Sequence, residues 1–207
     1  MEREVFLDEQ NWGEYHCWYA IEFLDPHGLD TPDIARALWR YPALYGPWRE
    51  RSSYPGPTTE EFDLSLYGLI TIDGYEPTGC YTLDMMEMYP TISLEIPLRM
   101  LQRVVPVNVQ FDNHGLLDVR LNPWMPVFDT FFINIAEYIF RQFPFYLAII
   151  CAAPEGLGYS NDGERTFAEM NVEEGGLLLS QQLWELLHPT VDAVLMPSGL
   201  RWIPRKE

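Results

Sequence analysis

Lysine is almost missing from this chain: of its 13 basic residues only Lys206 is a lysine. A P-loop lysine or a Schiff-base lysine inside the fold is therefore excluded. Glycine-rich phosphate loops fail as well, since neither G-x-x-x-x-G-K-[ST] nor a strand-to-helix G-x-G-x-x-G occurs. No G-x-S-x-G nucleophile elbow is found. The cysteines number three, Cys17, Cys80 and Cys151, widely spaced and each among apolar residues, which argues against a disulfide framework or a cysteine-based zinc site. The histidines, His16, His27, His114 and His188, are scattered, without H-E-x-x-H spacing. No cofactor is implied.

A long apolar run is missing too. A membrane-spanning helix needs about 20 predominantly apolar residues, and the most apolar stretch, DTFFINIAEYIFRQFPFYLAIICAAP, is broken by Asp129, Glu137, Arg141 and Pro144. The amino-terminal MEREVFLDEQNWGEYH is acidic and lacks the apolar region of a signal peptide. With free thiols, this predicts a reducing, cytoplasmic-type compartment.

What the chain has in surplus is acid: 31 Asp and Glu against 13 Arg and Lys, a formal charge of −18. Residues 1–33 carry a net −8, residues 34–51 a net +3, residues 52–98 a net −8 with no base, and residues 99–207 a net −5. Such a chain repels nucleic acid and anionic membrane, both of which are bound through cationic side chains. The partner it predicts is a basic protein.

Periodicity places the elements. Glu14–Leu24 alternates as a strand, and Thr31-Pro32-Asp33, with a capping hydroxyl at Thr31, opens a helix stopped by Pro42. Residues 42–60 hold four prolines and two glycines and read as a long irregular connection. Strands are predicted over Phe62–Ile72, Cys80–Met86 and Thr91–Ile96, then a short helix to Val104. Val107–Phe111 and Leu116–Leu121 flank turn formers as a hairpin. Phe128–Gln142 carries an apolar helical stripe, with Thr130, Asn134, Glu137 and Arg141 on the other side, and Phe145–Ala153 reads as a strand covered on both faces. Leu177–His188 has helical spacing, and VDAVLMPSGLRWIP closes the chain as a hairpin.

The fold class is α+β: an antiparallel or mixed sheet with helices on one face, compatible with a decorated ferredoxin-like core. Residues 1–154 form the core, 155–176 an acidic, glycine-rich loop or lid, and 177–207 a helix and hairpin packed on the same domain.

Reactive constellations are weak. Asp25, His27, Asp30 and Asp33 read as a loop and helix cap rather than a metal site. Asn161-Asp162-Gly163-Glu164 lacks calcium-loop spacing and reads as a polar turn. Asp112 and His114 could pair as an oriented base, but their residue types also suit a turn. Asp84-Met85-Met86-Glu87-Met88-Tyr89 reads as core rather than an adaptable surface. The candidate partner-binding segment is the one that reverses sign: Arg36, Arg40, Arg49 and Arg51, interleaved with Trp39, Trp48 and Tyr54. Arginine and aromatic side chains dominate binding hot spots. Together these features predict a non-catalytic, soluble, acidic interaction protein, such as an inhibitor, an immunity-type protein or an assembly factor. The alternative is a small-ligand binder or hydrolase-like enzyme with an aromatic-lined pocket, and a homo-oligomer is also compatible.

Overall fold

The computed structural model describes residues 1–12, 18–25, 28–62, 65–85, 90–110, 120–153 and 176–205. The chain runs α1 (Arg3–Leu7), α2 (Glu9–Trp12), β1 (Trp18–Leu24), α3 (Thr31–Leu38), β2 (Leu44–Trp48), β3 (Leu66–Ile70), β4 (Thr78–Met85), β5 (Thr91–Pro97), α4 (Leu98–Val104), α5 (Met125–Phe140), β6 (Leu147–Ala153), β7 (Leu177–Leu179), α6 (Gln181–Leu187), β8 (Val194–Leu195) and β9 (Arg201–Ile203). The nine strands form one sheet in the order β2-β3-β4-β5-β1-β6-β7-β9-β8. Every pairing is antiparallel.

The α+β class and the antiparallel sheet agree with the sequence expectation, and within the nine-stranded sheet β1, α3, β4, β5, α5 and β6 supply the contiguous strand order β4-β5-β1-β6. The architecture differs from the expectation in that helices lie on both faces rather than one. On the first face Tyr19, Ile21, Phe23, Leu94, Ile96 and Ile150 meet Ile34 and Leu38 of α3 and Phe128, Phe132 and Ile135 of α5. The second face is covered at each end: Phe6 and Trp12 of α1 and α2 pack near Trp48, Tyr67 and Leu69, and Leu183 of α6 packs against Leu24, Leu147, Ile149, Leu177 and Leu179. Burial on both sides suits the nearly continuous apolar run of β1, whereas β5 alternates Ile92, Leu94 and Ile96 with Thr91, Ser93 and Glu95 and is nonetheless buried throughout.

Local chemistry sets the helix ends. α3 is capped by Asp30, whose Oδ1 accepts from the Asp33 N–H at 3.1 Å. Thr31, expected to be the cap, instead donates its hydroxyl to Asp84 Oδ2 at 2.8 Å, binding α3 to β4. α5 starts a turn earlier than predicted, with Pro126 in its first turn. Burying Phe128 and Phe132 contributes about 2 kcal/mol each, against about 0.5 kcal/mol for a partly exposed i,i+4 ion pair, so the apolar stripe and not Glu137–Arg141 holds this helix. Glu137, expected on the polar side, is buried and accepts hydrogen bonds from the Ser198 N–H and hydroxyl in the β8–β9 turn.

Three further expectations are corrected. Residues 44–48 form the edge strand β2, where Pro47, lacking an N–H, is tolerated. Leu177–Leu179 is a strand and α6 begins only after Ser180, whose hydroxyl oxygen accepts from the Leu183 N–H at 3.2 Å. Residues 107–110 form none of the described strands, and the N–H groups of Val109 and Gln110 donate to the Gln102 and Asn122 side chains at 2.7 and 3.0 Å; residues 111–119 of the predicted hairpin lie outside the described residues. His27, the Asp112–His114 pair, the 86–89 methionine run and the 155–175 loop lie outside the described residues.

Candidate functional site

α1 and α2 are too short to stand alone and are held by aromatic packing. The Phe6 ring meets Trp12, Trp48 and Tyr54 with centroids 5.0, 5.7 and 4.4 Å apart. Trp12 Nε1 donates to the Phe6 carbonyl at 2.6 Å. Tyr54 Oη donates to the Met1 carbonyl at 2.8 Å, and Arg3 Nε donates to the Tyr54 carbonyl at 3.0 Å. These bonds fasten the amino-terminal segment to the 49–61 segment, so two stretches distant in sequence share one end of the sheet.

Between them lies a groove of about 340 Å³ lined by Leu7, Glu9, Arg49, Glu50, Arg51, Ser52 and Tyr67. Arg51 sits over the rings of Trp12 and Tyr67, 5.8 Å from each centroid, and its Nη2 is 3.7 Å from Glu9 Oε1. Arg49 pairs with Glu61 at 2.5 Å. Glu9 and Glu50 line the groove, and Glu2, Glu4, Asp8, Glu60 and Glu61 of the same two segments are exposed.

The structure divides the predicted partner-binding residues. Trp39 is buried against Gly68 and donates Nε1–H to Thr82 Oγ1 at 3.2 Å. Trp48 is fully buried and donates to the Gly56 carbonyl at 3.0 Å, and Tyr54 is buried beside it. These rings are core, not presented anchors. Arg36 pairs with Asp33 and lies over the Phe62 ring. Arg40 is exposed. Only Arg49 and Arg51 line the groove. Arg36, Arg49 and Arg51 thus neutralise acids of their own chain, while Arg40 projects to solvent.

No family model, curated protein or solved structure matches the chain. Its site must be read from its own residues. Among the described residues no three His, Cys, Asp or Glu gather as a metal site. Asp30 is occupied as a cap, and Asp33 pairs with Arg36. Among the described residues no helix is long and apolar enough to cross a membrane.

A second feature escaped the sequence reading. Glu22 of β1 and Glu95 of β5 point to the second face and are 2% and 1% exposed. In register Glu22 faces Ser93 and Ala20 faces Glu95, so the carboxyls are diagonal neighbours. Glu95 accepts a hydrogen bond from the Ser93 hydroxyl. Tyr81, directly across on β4, brings its hydroxyl to the same carboxyl, although Oε2 finds no partner in hydrogen-bond geometry. Burial, reinforced by Glu95, pushes Glu22 up to about 7. Burial also raises Glu95, with the Ser93 and Tyr81 hydroxyls pulling the other way. The alternation E-F-L against S-L-E hid this pair, because either glutamate alone reads as the polar face of a strand.

Proposed function

We propose that this protein is a non-catalytic binding protein that docks a basic protein partner on the acidic end of its sheet. One observation carries the reading: Glu9 and Glu50, from two segments distant in sequence, line one groove, and Glu2, Glu4, Asp8 and Glu60 of the same two segments are exposed. The arginines of that end are engaged within the chain, Arg51 with Trp12, Tyr67 and Glu9, Arg3 with the Tyr54 carbonyl, and Arg49 with Glu61. The surplus field is then negative and steers a cationic partner, raising its association rate at low salt. An inhibitor, immunity-type or assembly role fits this mode, since none of these needs a reacting group. The buried thiol of Cys80 suits a reducing, cytoplasmic-type compartment.

The test is affinity capture from native lysate at low and high ionic strength, followed by association kinetics with the captured partner. A basic protein should be retained at low salt and lost at high salt. Joint replacement of Glu2, Glu4, Asp8, Glu50 and Glu60 by their amides should slow association without moving the unfolding midpoint. Association equally fast at both ionic strengths would overturn the reading.

A further inference from the structure

The middle of the second face is unlike its ends. At one end Phe6 and Trp12 cover the sheet, and at the other Leu183 does, but between them the positions in register are Ala20, Glu22, Ser93 and Glu95. Two carboxyls are thus buried on adjacent strands, near enough to repel if both are charged. Among the described residues neither has a cationic partner, and Glu95 Oε2 accepts no hydrogen bond. A buried carboxylate without a cation is strongly unfavourable even where a hydroxyl donates to it, as Ser93 does to Glu95, whereas a protonated one becomes a donor and can satisfy a neighbouring oxygen.

We propose that Glu22 and Glu95 form a proton-held clasp at the centre of the sheet, closed while the pair keeps a proton and loosened when both carboxyls ionise. The groups facing them agree with this. Ser93 and Ile149 flank Glu22 from β5 and β6; Tyr81 of β4 faces Glu95, and position 151 of β6 stands across from Ala20. Burial and Glu95 both raise the Tyr81 hydroxyl, so it stays neutral and supplies no countercharge. Tyr67, across from Tyr81 on β3, is a phenol as well.

The sign follows from proton counting. Between the ordinary glutamate value of 4.5 and about 7, folded Glu22 holds a proton that the unfolded chain has lost. Folding takes up that proton, so the contribution is complete below about 4.5 and is lost as pH rises to about 7.

Urea unfolding of the full chain from about pH 5 to about pH 8, with Glu22→Gln alongside, tests the clasp. The unfolding constant of the native sequence should rise relative to Glu22→Gln on the order of 100-fold across that window. Backbone hydrogen-exchange protection in β1 and β5 should fall over the same range in the native sequence only. Parallel pH profiles for the two proteins would overturn the proposal. If the amide variant does not fold, the infrared carbonyl band of a protonated carboxylic acid in the native protein decides. Its presence near pH 6 and its loss on raising the pH support the clasp. Two ionised carboxylates already at about pH 5 refute it.

Discussion

The Tyr19 hydroxyl on β1 donates a hydrogen bond to Asp129 Oδ1 on α5, and Arg205 closes the arrangement from the carboxy-terminal segment. Arg205 Nη2 donates to the Ile150 carbonyl at 2.6 Å and to the Tyr19 hydroxyl oxygen at 3.3 Å, with its guanidinium over the Tyr19 ring. One cluster therefore joins the central strands, the long helix and the last residues described.

Removing the carboxylate takes the Asp129 ion pair from the partly buried guanidinium and the acceptor from the Tyr19 hydroxyl. Asp129→Ala is expected to destabilise the protein by about 3 kcal/mol, whereas Tyr19→Phe, which removes one hydroxyl, should lose about 1 kcal/mol. Urea denaturation measures both, and a smaller loss for Asp129→Ala than for Tyr19→Phe would contradict the arrangement.

Gly68 of β3 lies under the Trp39 ring, and a Cβ there would collide with that ring and stand 2.7 Å from the Tyr45 carbonyl oxygen. Gly68→Ala should therefore cost about 3 kcal/mol through overpacking. Gly74 has φ of +85° with open space around it, so Gly74→Ala should cost only about 1 kcal/mol, from backbone strain. Thermal melts of the pair separate a packing requirement from a conformational one.

Because Trp48 is fully buried, truncating it should act on stability and not on recognition. Trp48→Ala is expected to destabilise by about 4 kcal/mol. Glu60→Gln, on the exposed rim, should change stability by less than about 0.5 kcal/mol while lowering the salt sensitivity of association. Comparing unfolding with binding kinetics checks the division between core and rim.

The pH dependence of Glu22 has a sign set by burial beside Glu95. Its carboxyl is raised from 4.5 to about 7, equivalent to about 3 kcal/mol, so native protein should lose on this order of stability relative to Glu22→Gln as pH rises through that interval. Below about 4.5 the difference should vanish. Denaturant midpoints across pH give the curve directly.

Much of the secondary structure was legible because it rests on local chemistry. Alternation marked β3, β4 and β5, Pro97 introduced α4, and the Phe128–Ile139 stripe marked α5. The errors arose where two signals compete. Leu177–Leu179 has helical spacing with Leu183 and Leu186, yet pairing with β6 and β9 takes it into the sheet. Residues 44–48 are rich in turn formers, yet β3 recruits them as an edge strand. The site was legible only as charge: Arg49 and Arg51 reach the groove, while Trp39, Trp48 and Tyr54, chosen for residue type, belong to the core.

The sequence by itself determined the sign of the field, the strand-rich α+β class and the lack of phosphate-loop or nucleophile-elbow motifs, since these depend on composition and short spacings. Only the tertiary structure decided which aromatics are hidden, that two acidic segments meet at one groove, and that Glu22 and Glu95 share one buried face. Those outcomes depend on strand order and register, and a single-residue shift in register would turn the same glutamates toward the opposite side of the sheet.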